Sequence, residues 1–241
     1  MRRVVVTGGG TGIGRAIAER FAGQGDEVFV VGRRKDRLEQ VSATTPEGAI
    51  RPLVADLSNE EAVLRAAEEL SDKPLDVLVN NAGGLVAREK DGLAGTFDVH
   101  RRVIERNLLT AMTFTEALWE HLTRPGGRVV NIGSIAGQRG GGGGYAAAKA
   151  GLSVWGFDLA AKGGPDGITV NTVSPGYVQD TEFFGENGRS ARHDGLVAQT
   201  LLGRAGTPAD VAATVAFLAS DDAAWITGQV IGVNGGALLG R

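Results

Sequence analysis

Short apolar runs rich in valine alternate with longer amphipathic stretches along most of the chain. This alternation is typical of repeated strand–helix–strand units, in which parallel strands form one sheet. Several runs lack alternating polar positions, so we expect helices to bury these strands on both faces. The predicted strands are Arg3–Val6, Glu27–Val31, Ile50–Val54, Asp76–Val79, Arg128–Ile132, Ile168–Val173 and Gln229–Val233.

The predicted helices fill the gaps between these strands. Thr207 is expected to cap the last of them, with Pro208 at its first position. The pattern predicts an α/β fold, a doubly wound parallel sheet of about seven strands with helices on both faces. Single α/β domains commonly reach this length, so we predict one domain over residues 1–241. The helices are predicted to begin near Ile13, Lys35, Asn59, Asp98, Tyr145 and Pro208.

Two longer segments, Gly83–Phe97 and Tyr177–Leu202, interrupt the alternation after the fourth and sixth predicted strands. Open α/β sheets bind ligands at the carboxyl ends of their strands, so we expect substrate contacts from both segments. Alternatively, both segments are surface insertions that the fold tolerates and that contact no substrate. The second segment, residues 177–202, is predicted to form a substrate lid, in which Phe183 and Phe184 either close over the substrate or pack as ordinary core.

Composition and charge exclude several classes of function. A content of 42% hydrophobic and 22% charged residues indicates a globular protein. The formal net charge of −3 argues against nucleic-acid binding, which needs a basic surface. We expect neither a membrane segment nor a signal peptide, because Gly8 ends the first apolar run early. The absence of cysteine favours a reducing, cytoplasmic compartment. No metal site is predicted, since His100, His121 and His193 are scattered.

A glycine-rich loop follows the first predicted strand and leads directly into a helix. Such a loop lets the backbone approach a pyrophosphate, and the helix N-terminus supplies N–H groups to the anion. The spacing of these glycines departs from the strict G-x-G-x-x-G pattern, so a structural turn without a ligand stays open. The predicted dinucleotide contacts in this loop are Gly8, Thr11, Gly12, Ile13 and Gly14.

The second predicted strand ends in Arg33 and Arg34, where an NAD-specific site usually presents a carboxylate. An arginine there can bind a 2′-phosphate through two parallel hydrogen bonds. NADP(H) is therefore favoured. NAD(H) is the alternative, with Asp36 recruited to the ribose, and a solvated basic turn is another. Asp56 can either accept from the adenine amino group or cap the helix that begins near Asn59.

Tyr145 and Lys149 are spaced to share one face of a predicted helix. An adjacent ammonium would lower the pKa of a tyrosine, which could then act as a general acid or base near neutral pH. Ser134, just after the fifth predicted strand, can hold the substrate oxygen. At this spacing alone, a purely structural tyrosine–lysine pair is the alternative.

Together these motifs resemble the short-chain dehydrogenase/reductase family over nearly the whole chain. They are Thr7 to Gly14, Asn80 to Gly83, Asn107, Ser134, Tyr145, Lys149 and Ser174-Pro175-Gly176. The resemblance implies a Rossmann-type fold and a catalytic tetrad. In that tetrad Tyr145 is the acid or base, Lys149 lowers its pKa and binds the nicotinamide ribose, and Ser134 orients the substrate. Asn107 would support a water relay, or would otherwise satisfy a local helix break.

The resemblance also implies further contacts with the nicotinamide cofactor. These contacts follow the third, fourth, fifth and sixth strands. These implied cofactor contacts, besides the glycine loop, Arg33, Arg34 and Asp56, are Leu57, Asn80, Ala82, Gly83, Tyr145, Lys149, Pro175, Gly176, Val178 and Thr181.

The function that we expect is NADP(H)-dependent hydride transfer between the nicotinamide and a small or medium carbonyl or alcohol. Reduction of 3-oxoacyl groups on an acyl-carrier protein is the alternative, with Arg124 and Arg128 as candidates to contact the acidic partner. Asp166 counts against it, since a carboxylate there would repel that partner. A non-catalytic cofactor-binding regulator is an alternative of another class. Gln138 and Arg139 are expected near the substrate.

Two further expectations concern loop length and assembly. The stretch between Ser134 and Tyr145 is about two residues shorter than is usual in the family, and the glycines at 140–144 are expected to let it close. The predicted helices over 98–122 and 146–161 are apolar around much of their circumference, which favours a homotetramer or homodimer over a thicker monomer core. The apolar residues of the first helix are Val103, Leu108, Ala111, Phe114 and Leu118.

Overall fold

A computed structural model of the chain describes residues 1–46, 48–89, 91–183 and 192–240. Seven parallel strands form one sheet in the order β3-β2-β1-β4-β5-β6-β7. The sheet grows outward from β1 in one direction and then from β4 in the other, which confirms the predicted doubly wound fold. The strands are β1 Arg3–Thr7, β2 Glu27–Gly32, β3 Ile50–Val54, β4 Val77–Asn80, β5 Arg128–Ile132, β6 Thr169–Pro175 and β7 Val230–Val233.

Helices connect the strands and cover both faces of the sheet. A π-helical turn, Glu105–Leu109, joins α4 to α5, and residues 192–197 are also helical. The helices are α1 Gly12–Ala22, α2 Lys35–Ala43, α3 Glu60–Leu70, α4 Gly92–Ile104, α5 Thr110–Leu118, α6 Ile135–Arg139, α7 Gly144–Gly163 and α8 Pro208–Leu218.

The core consists of two apolar layers separated by the sheet. Val4 and Val6 of β1 point into the layer formed with α1, α2 and α8. Val5 points into the opposite layer, formed with α3, α5 and α7. Every residue of β1, β4, β5 and β6 is buried, as expected for strands that helices cover on both faces.

Helix boundaries agree with the sequence where a capping residue marks them. The Asn59 side chain accepts from the N–H of Ala62 at the start of α3, and Thr207 forms a capping box with Asp210 at the start of α8. The predicted start of α4 at Asp98 is wrong, because this helix begins at Gly92. Its first turns leave Leu93 84% exposed, so no buried stripe signals them.

Candidate active site

A cleft of about 970 Å³ runs along the edge of the sheet where the strands have their carboxyl ends. Its position at the β1/β4 reversal is where doubly wound sheets bind ligands. Most of the predicted site residues line it, whereas Asn80 and Asn107 lie behind its wall. The predicted residues that line the cleft are Gly8, Thr11, Gly12, Ile13, Gly14, Arg33, Arg34, Asp56, Leu57, Ala82, Gly83, Ser134, Tyr145, Lys149, Pro175, Gly176, Val178 and Thr181.

The glycine loop packs so tightly that one of its glycines leaves no room for a side chain. A Cβ at Gly14 would overlap the carbonyl oxygen of Gly8. The side-chain amide of Asn81 donates to that oxygen and to the carbonyl of Thr7, at 3.2 and 2.9 Å, and so ties the loop to β4. Within the described residues, Thr11 makes no side-chain cap hydrogen bond with α1. The first N–H groups of α1 therefore suit a pyrophosphate.

The two predicted arginines directly after β2 have different surroundings. The Arg34 guanidinium donates to the Glu182 carboxylate at 2.8 Å and, more weakly, to the Thr11 hydroxyl at 3.4 Å. Arg33 also lines the cleft, near Asp56, and among the described residues no carboxylate forms a salt bridge with it. Arg33 is thus the better placed of the two to meet a ligand phosphate.

Asp56 faces the cleft and does not cap α3, so the capping alternative for this residue is wrong. Its carboxylate accepts from the N–H and hydroxyl of Ser58 at 3.1 and 2.8 Å. Burial opposes ionisation, but the Ser58 hydrogen bonds and the positive field of Arg33 and Arg106 outweigh it and lower the pKa of Asp56. Asp56 therefore presents a charged acceptor to the cleft.

Arg106 is a cleft residue that the sequence analysis missed. It lies in the π-helical turn and donates to the Leu85 carbonyl at 2.8 Å. Burial and the repulsion of Arg33 and Arg102 lower its pKa. Because Arg106 precedes Asn107 in an apparently continuous helix, only the three-dimensional packing brings it beside Arg33.

Asn107 forms a bridge between the π-helical turn and the loop after β4. Its amide nitrogen donates to the carbonyls of Gly84 and Val103 at 2.9 and 3.0 Å, and its oxygen accepts from the Gly84 N–H at 2.9 Å. These contacts satisfy the backbone where the helix is interrupted, which is the alternative that the sequence left open. Asn107 also presses on Gly83, where a Cβ would lie 2.6 Å from its side-chain oxygen.

The structure brings Ser134, Tyr145 and Lys149 together at one point of the cleft. Ser134 and Tyr145 both line the cleft, close enough for Ser134 to lower the pKa of Tyr145, and the Lys149 ammonium lies 5.9 Å from the centre of the Tyr145 ring. The short loop between them therefore closes, with positive φ at Gly140, Gly141 and Gly143. Phe183 lies against the Tyr145 ring, with centroids 5.3 Å apart. Phe184 lies outside the described residues.

The protonation of this group differs from the sequence expectation. Burial raises the pKa of Tyr145, and the hydrogen bond with Ser134 offsets only part of the rise. Burial also lowers the pKa of Lys149 to about 8, and its ammonium donates to the Ile132 carbonyl at 2.7 Å. The expected lowering of the Tyr145 pKa by Lys149 is therefore not the net effect, because desolvation of the phenolate is larger.

Comparison with known proteins gives the family. A family model described as enoyl-(acyl carrier protein) reductase matches residues 8–237. The chain is 36% identical to the 3-oxoacyl-[acyl-carrier-protein] reductase FabG of Escherichia coli K12, across 98% of this chain and 96% of that protein. It is 38% identical to the acetoacetyl-CoA reductase of Rhizobium meliloti, across 98% of each. This chain belongs to the short-chain dehydrogenase/reductase family. It is accordingly an oxidoreductase of that family.

The two arginines that we expected to contact an acidic carrier protein do not form a positively charged surface in this short-chain dehydrogenase/reductase. Arg128 is buried and donates to the Gly126 carbonyl at 2.7 Å, so its expected place on a partner surface is wrong. Arg124 pairs with Asp166 at 3.1 Å and with Glu120 at 3.4 Å. Local carboxylates thus already neutralise this partly buried arginine.

The apolar helices of this short-chain dehydrogenase/reductase bury most of the residues that suggested an interface. Val103, Ala111, Phe114 and Leu118 lie inside the chain, which supports the alternative of a thicker core for these four. Other apolar side chains on the same helical region remain exposed, namely Leu109, Val154 and Phe157. Among the described residues, no helix is long and apolar enough to cross a membrane.

Proposed function

We propose that this chain is an NADP(H)-dependent oxidoreductase that transfers a hydride between the nicotinamide and a small or medium carbonyl or alcohol substrate. The observation that carries the proposal is that Ser134 and Tyr145 line the same cleft, with Lys149 buried beside Tyr145. An alcohol–carbonyl interconversion needs a proton donor or acceptor at the substrate oxygen, and a regulator without turnover would need no such pair.

The cleft suits a dinucleotide along its whole length. The glycine loop and the start of α1 would hold the pyrophosphate. Arg33 would bind the 2′-phosphate, and Asp56 and Leu57 would contact the adenosine. Ala82, Gly83, Lys149 and Thr181 would line the path toward the nicotinamide, as would the turn at 175–178. When bound, the nicotinamide supplies or accepts the hydride.

Tyr145 and Ser134 carry the proton chemistry in this proposal. The raised pKa of Tyr145 keeps its hydroxyl protonated at neutral pH, so it can donate a proton to a carbonyl oxygen as the hydride arrives at carbon. The Ser134 hydroxyl orients that oxygen. Lys149 places a positive charge beside the phenolate that forms. We assign Asn107 a positioning role, since its side chain fixes the Gly83–Gly84 backbone beside Lys149.

A substrate panel with Tyr145→Phe tests this function. NADPH oxidation would be followed with aldehydes, ketones and acetoacetyl-CoA, and Tyr145→Phe is expected to lose about 10²–10⁴-fold in kcat. NADPH binding to the variant, measured by fluorescence quenching, should be unchanged. Unchanged turnover by Tyr145→Phe would refute the assigned chemistry.

The cofactor preference has a test of its own in two adjacent arginines. Arg33→Ala should weaken NADPH binding by about tenfold or more while leaving NADH binding unchanged, because a charge-assisted hydrogen bond to phosphate is lost. Arg34→Ala is the matched control, since its guanidinium already pairs with Glu182. Equal effects of the two variants on NADPH, or an equal effect of Arg33→Ala on both cofactors, would contradict the assignment.

Reduction of 3-oxoacyl thioesters is a second candidate function, favoured by the names of the relatives. The pairing of Arg124 with Asp166 and Glu120 favours a free thioester over an acyl-carrier protein, because that surface offers little net positive charge. The test compares acetoacetyl-CoA with acetoacetyl-carrier protein. A kcat/KM that is much higher for the carrier-protein substrate would reverse this preference.

We also propose that the chain assembles as a homodimer or homotetramer through its α5 and α7 region. Exposed apolar side chains at Leu109, Val154 and Phe157 support this, being 46%, 59% and 45% exposed in the single chain. Light scattering after size-exclusion chromatography tests the proposal, and a monomer at micromolar concentration would overturn it.

A further inference from the structure

The arginines that line the cleft differ in how their charges are balanced. Arg34 pairs with Glu182 at 2.8 Å, and Arg102 pairs with Glu89 and Asp98 at 2.7 and 2.9 Å. Both therefore bring little net charge to a ligand. Arg139, at the end of α6, also lines the cleft, but its partners are neutral.

The Arg139 guanidinium is held between two walls of the cleft. It donates to the side-chain oxygen of Gln199 at 2.9 Å and, more weakly, to the backbone carbonyl of Ala237 at 3.4 Å. Neutral acceptors orient a guanidinium without cancelling its charge. Arg139 also ends the short helix that Ser134 caps, so one short segment after β5 carries both residues.

Arg192, at the start of the helical stretch 192–197, adds a second positive charge to the same cleft, which Leu196 and Gln199 also line. Among the residues that the structure describes, neither Arg139 nor Arg192 has a carboxylate within salt-bridge distance. The described carboxylates that line the cleft are engaged elsewhere: Asp56 with Ser58, Glu105 with Arg101 and Glu182 with Arg34.

We propose that Arg139, assisted by Arg192, binds an anionic group of the substrate, so that the physiological substrate is a carbonyl compound carrying a carboxylate or a phosphate. The inference rests on the proposed function and specifies its substrate class. A guanidinium fork fixed by two neutral acceptors binds such anions through charge-assisted hydrogen bonds. Anchoring the anion at Arg139 would hold the carbonyl against Ser134 and Tyr145.

The reaction leaves this anion unchanged. A hydride from the reduced nicotinamide forms a C–H bond at the carbonyl carbon while the C=O π bond breaks. The Tyr145 hydroxyl gives its proton to the oxygen, and the product is a hydroxy acid or a hydroxyacyl thioester. The cofactor loses the two electrons that the carbonyl gains and is thereby oxidised.

Matched neutral and anionic substrates test the inference. One pair is acetoacetate and its methyl ester, which differ in the carboxylate. The other is the acetoacetyl thioester of 4′-phosphopantetheine and that of pantetheine, which differ in the phosphate. In Arg139→Gln the KM of the anionic member should rise about 10- to 100-fold, as loss of a hydrogen bond to a charged group predicts, with kcat and the neutral member little changed. Arg192→Gln should act in the same direction with a smaller effect.

Arg65→Gln is the matched control, because it removes one exposed arginine charge on α3, outside the cleft. A second readout avoids turnover: acetoacetate is titrated calorimetrically into the NADP⁺-bound protein, and Arg139→Gln should weaken this binding by a similar factor. The pair that responds identifies the anion as carboxylate or phosphate.

Each remaining outcome overturns a different statement. If Arg139→Gln alters neither pair, or alters anionic and neutral members equally, the anion site is refuted. If the unsubstituted protein reduces neither member of either pair and no other carbonyl with NADPH, the proposed function itself fails. Reduction of the neutral members alone would retain the function and reject the anionic substrate.

Discussion

The buried ammonium of Lys149 should make the protein less stable at neutral pH than at alkaline pH. Lys149 is 4% exposed, and burial lowers its pKa from 10.5 to about 8. The unfolded chain therefore binds a proton more tightly than the folded protein does. This cost is fully present below pH 8 and disappears as the pH rises through 10.5.

The magnitude follows from the two pKa values. One pKa unit corresponds to about 1.4 kcal/mol, so the full cost of charging Lys149 in the folded state is roughly 3 kcal/mol. Between pH 7 and pH 9 the folded lysine loses its proton while the unfolded one keeps it, and about 1 kcal/mol of this cost is relieved. Lys149→Met removes the titrating group and should remove this increment.

Urea unfolding measures this effect as the change in the free energy of unfolding between pH 7 and pH 9, compared between the unsubstituted protein and Lys149→Met. The free energy of unfolding should rise with pH by about 1 kcal/mol more in the unsubstituted protein than in Lys149→Met, because other groups contribute equally to both. Lys162→Met on the same helix, whose lysine is exposed and stacked on Trp119 at 4.5 Å, is the control. An equal pH response in all three proteins would refute the reasoning.

Three further substitutions follow from the packing. Gly83→Ala places a Cβ 2.6 Å from the Asn107 side-chain oxygen, so it should cost about 1–3 kcal/mol in urea unfolding and lower kcat; retention of both would contradict the assigned contact. Gly14→Ala drives a Cβ into the Gly8 carbonyl and should weaken NADPH binding, measured by fluorescence quenching, more than it weakens the fold. Phe157→Asp should shift light scattering toward the monomer without loss of NADPH binding, and an unchanged oligomer would place the interface elsewhere.

The sheet could be predicted from the sequence because its strands leave a strong local signal. Apolar runs such as Val4–Val6 are buried on both faces, and helices with a recognisable cap or start, such as α3 and α8, separate several of them. The start of α4 at Gly92 and the π-helical turn at Glu105–Leu109 left no such signal. The first exposes its apolar residues, and the second keeps a helical pattern while changing the hydrogen-bond register.

The sequence also predicted that most candidate site residues would lie together at one edge of the sheet, because most of their segments follow the carboxyl end of a strand. What the sequence could not give was pairing between distant segments. Arg34 and Arg33 are neighbours, yet only Arg34 meets Glu182, which lies 148 residues further along the chain. Asp56 likewise had two local alternatives, and the Asn59 cap decided between them.

The protonation states are the part of the site that depends most on burial. A tyrosine and a lysine on one helical face predict a lowered phenol pKa, but this argument ignores how much water each group loses. Here burial raises the pKa of Tyr145 and lowers the pKa of Lys149 to about 8. At neutral pH the phenol therefore keeps its proton while the lysine remains mostly charged. Under the proposed function this is the state that a reductase needs: Tyr145 donates the proton, and the ammonium then stabilises the phenolate that is left.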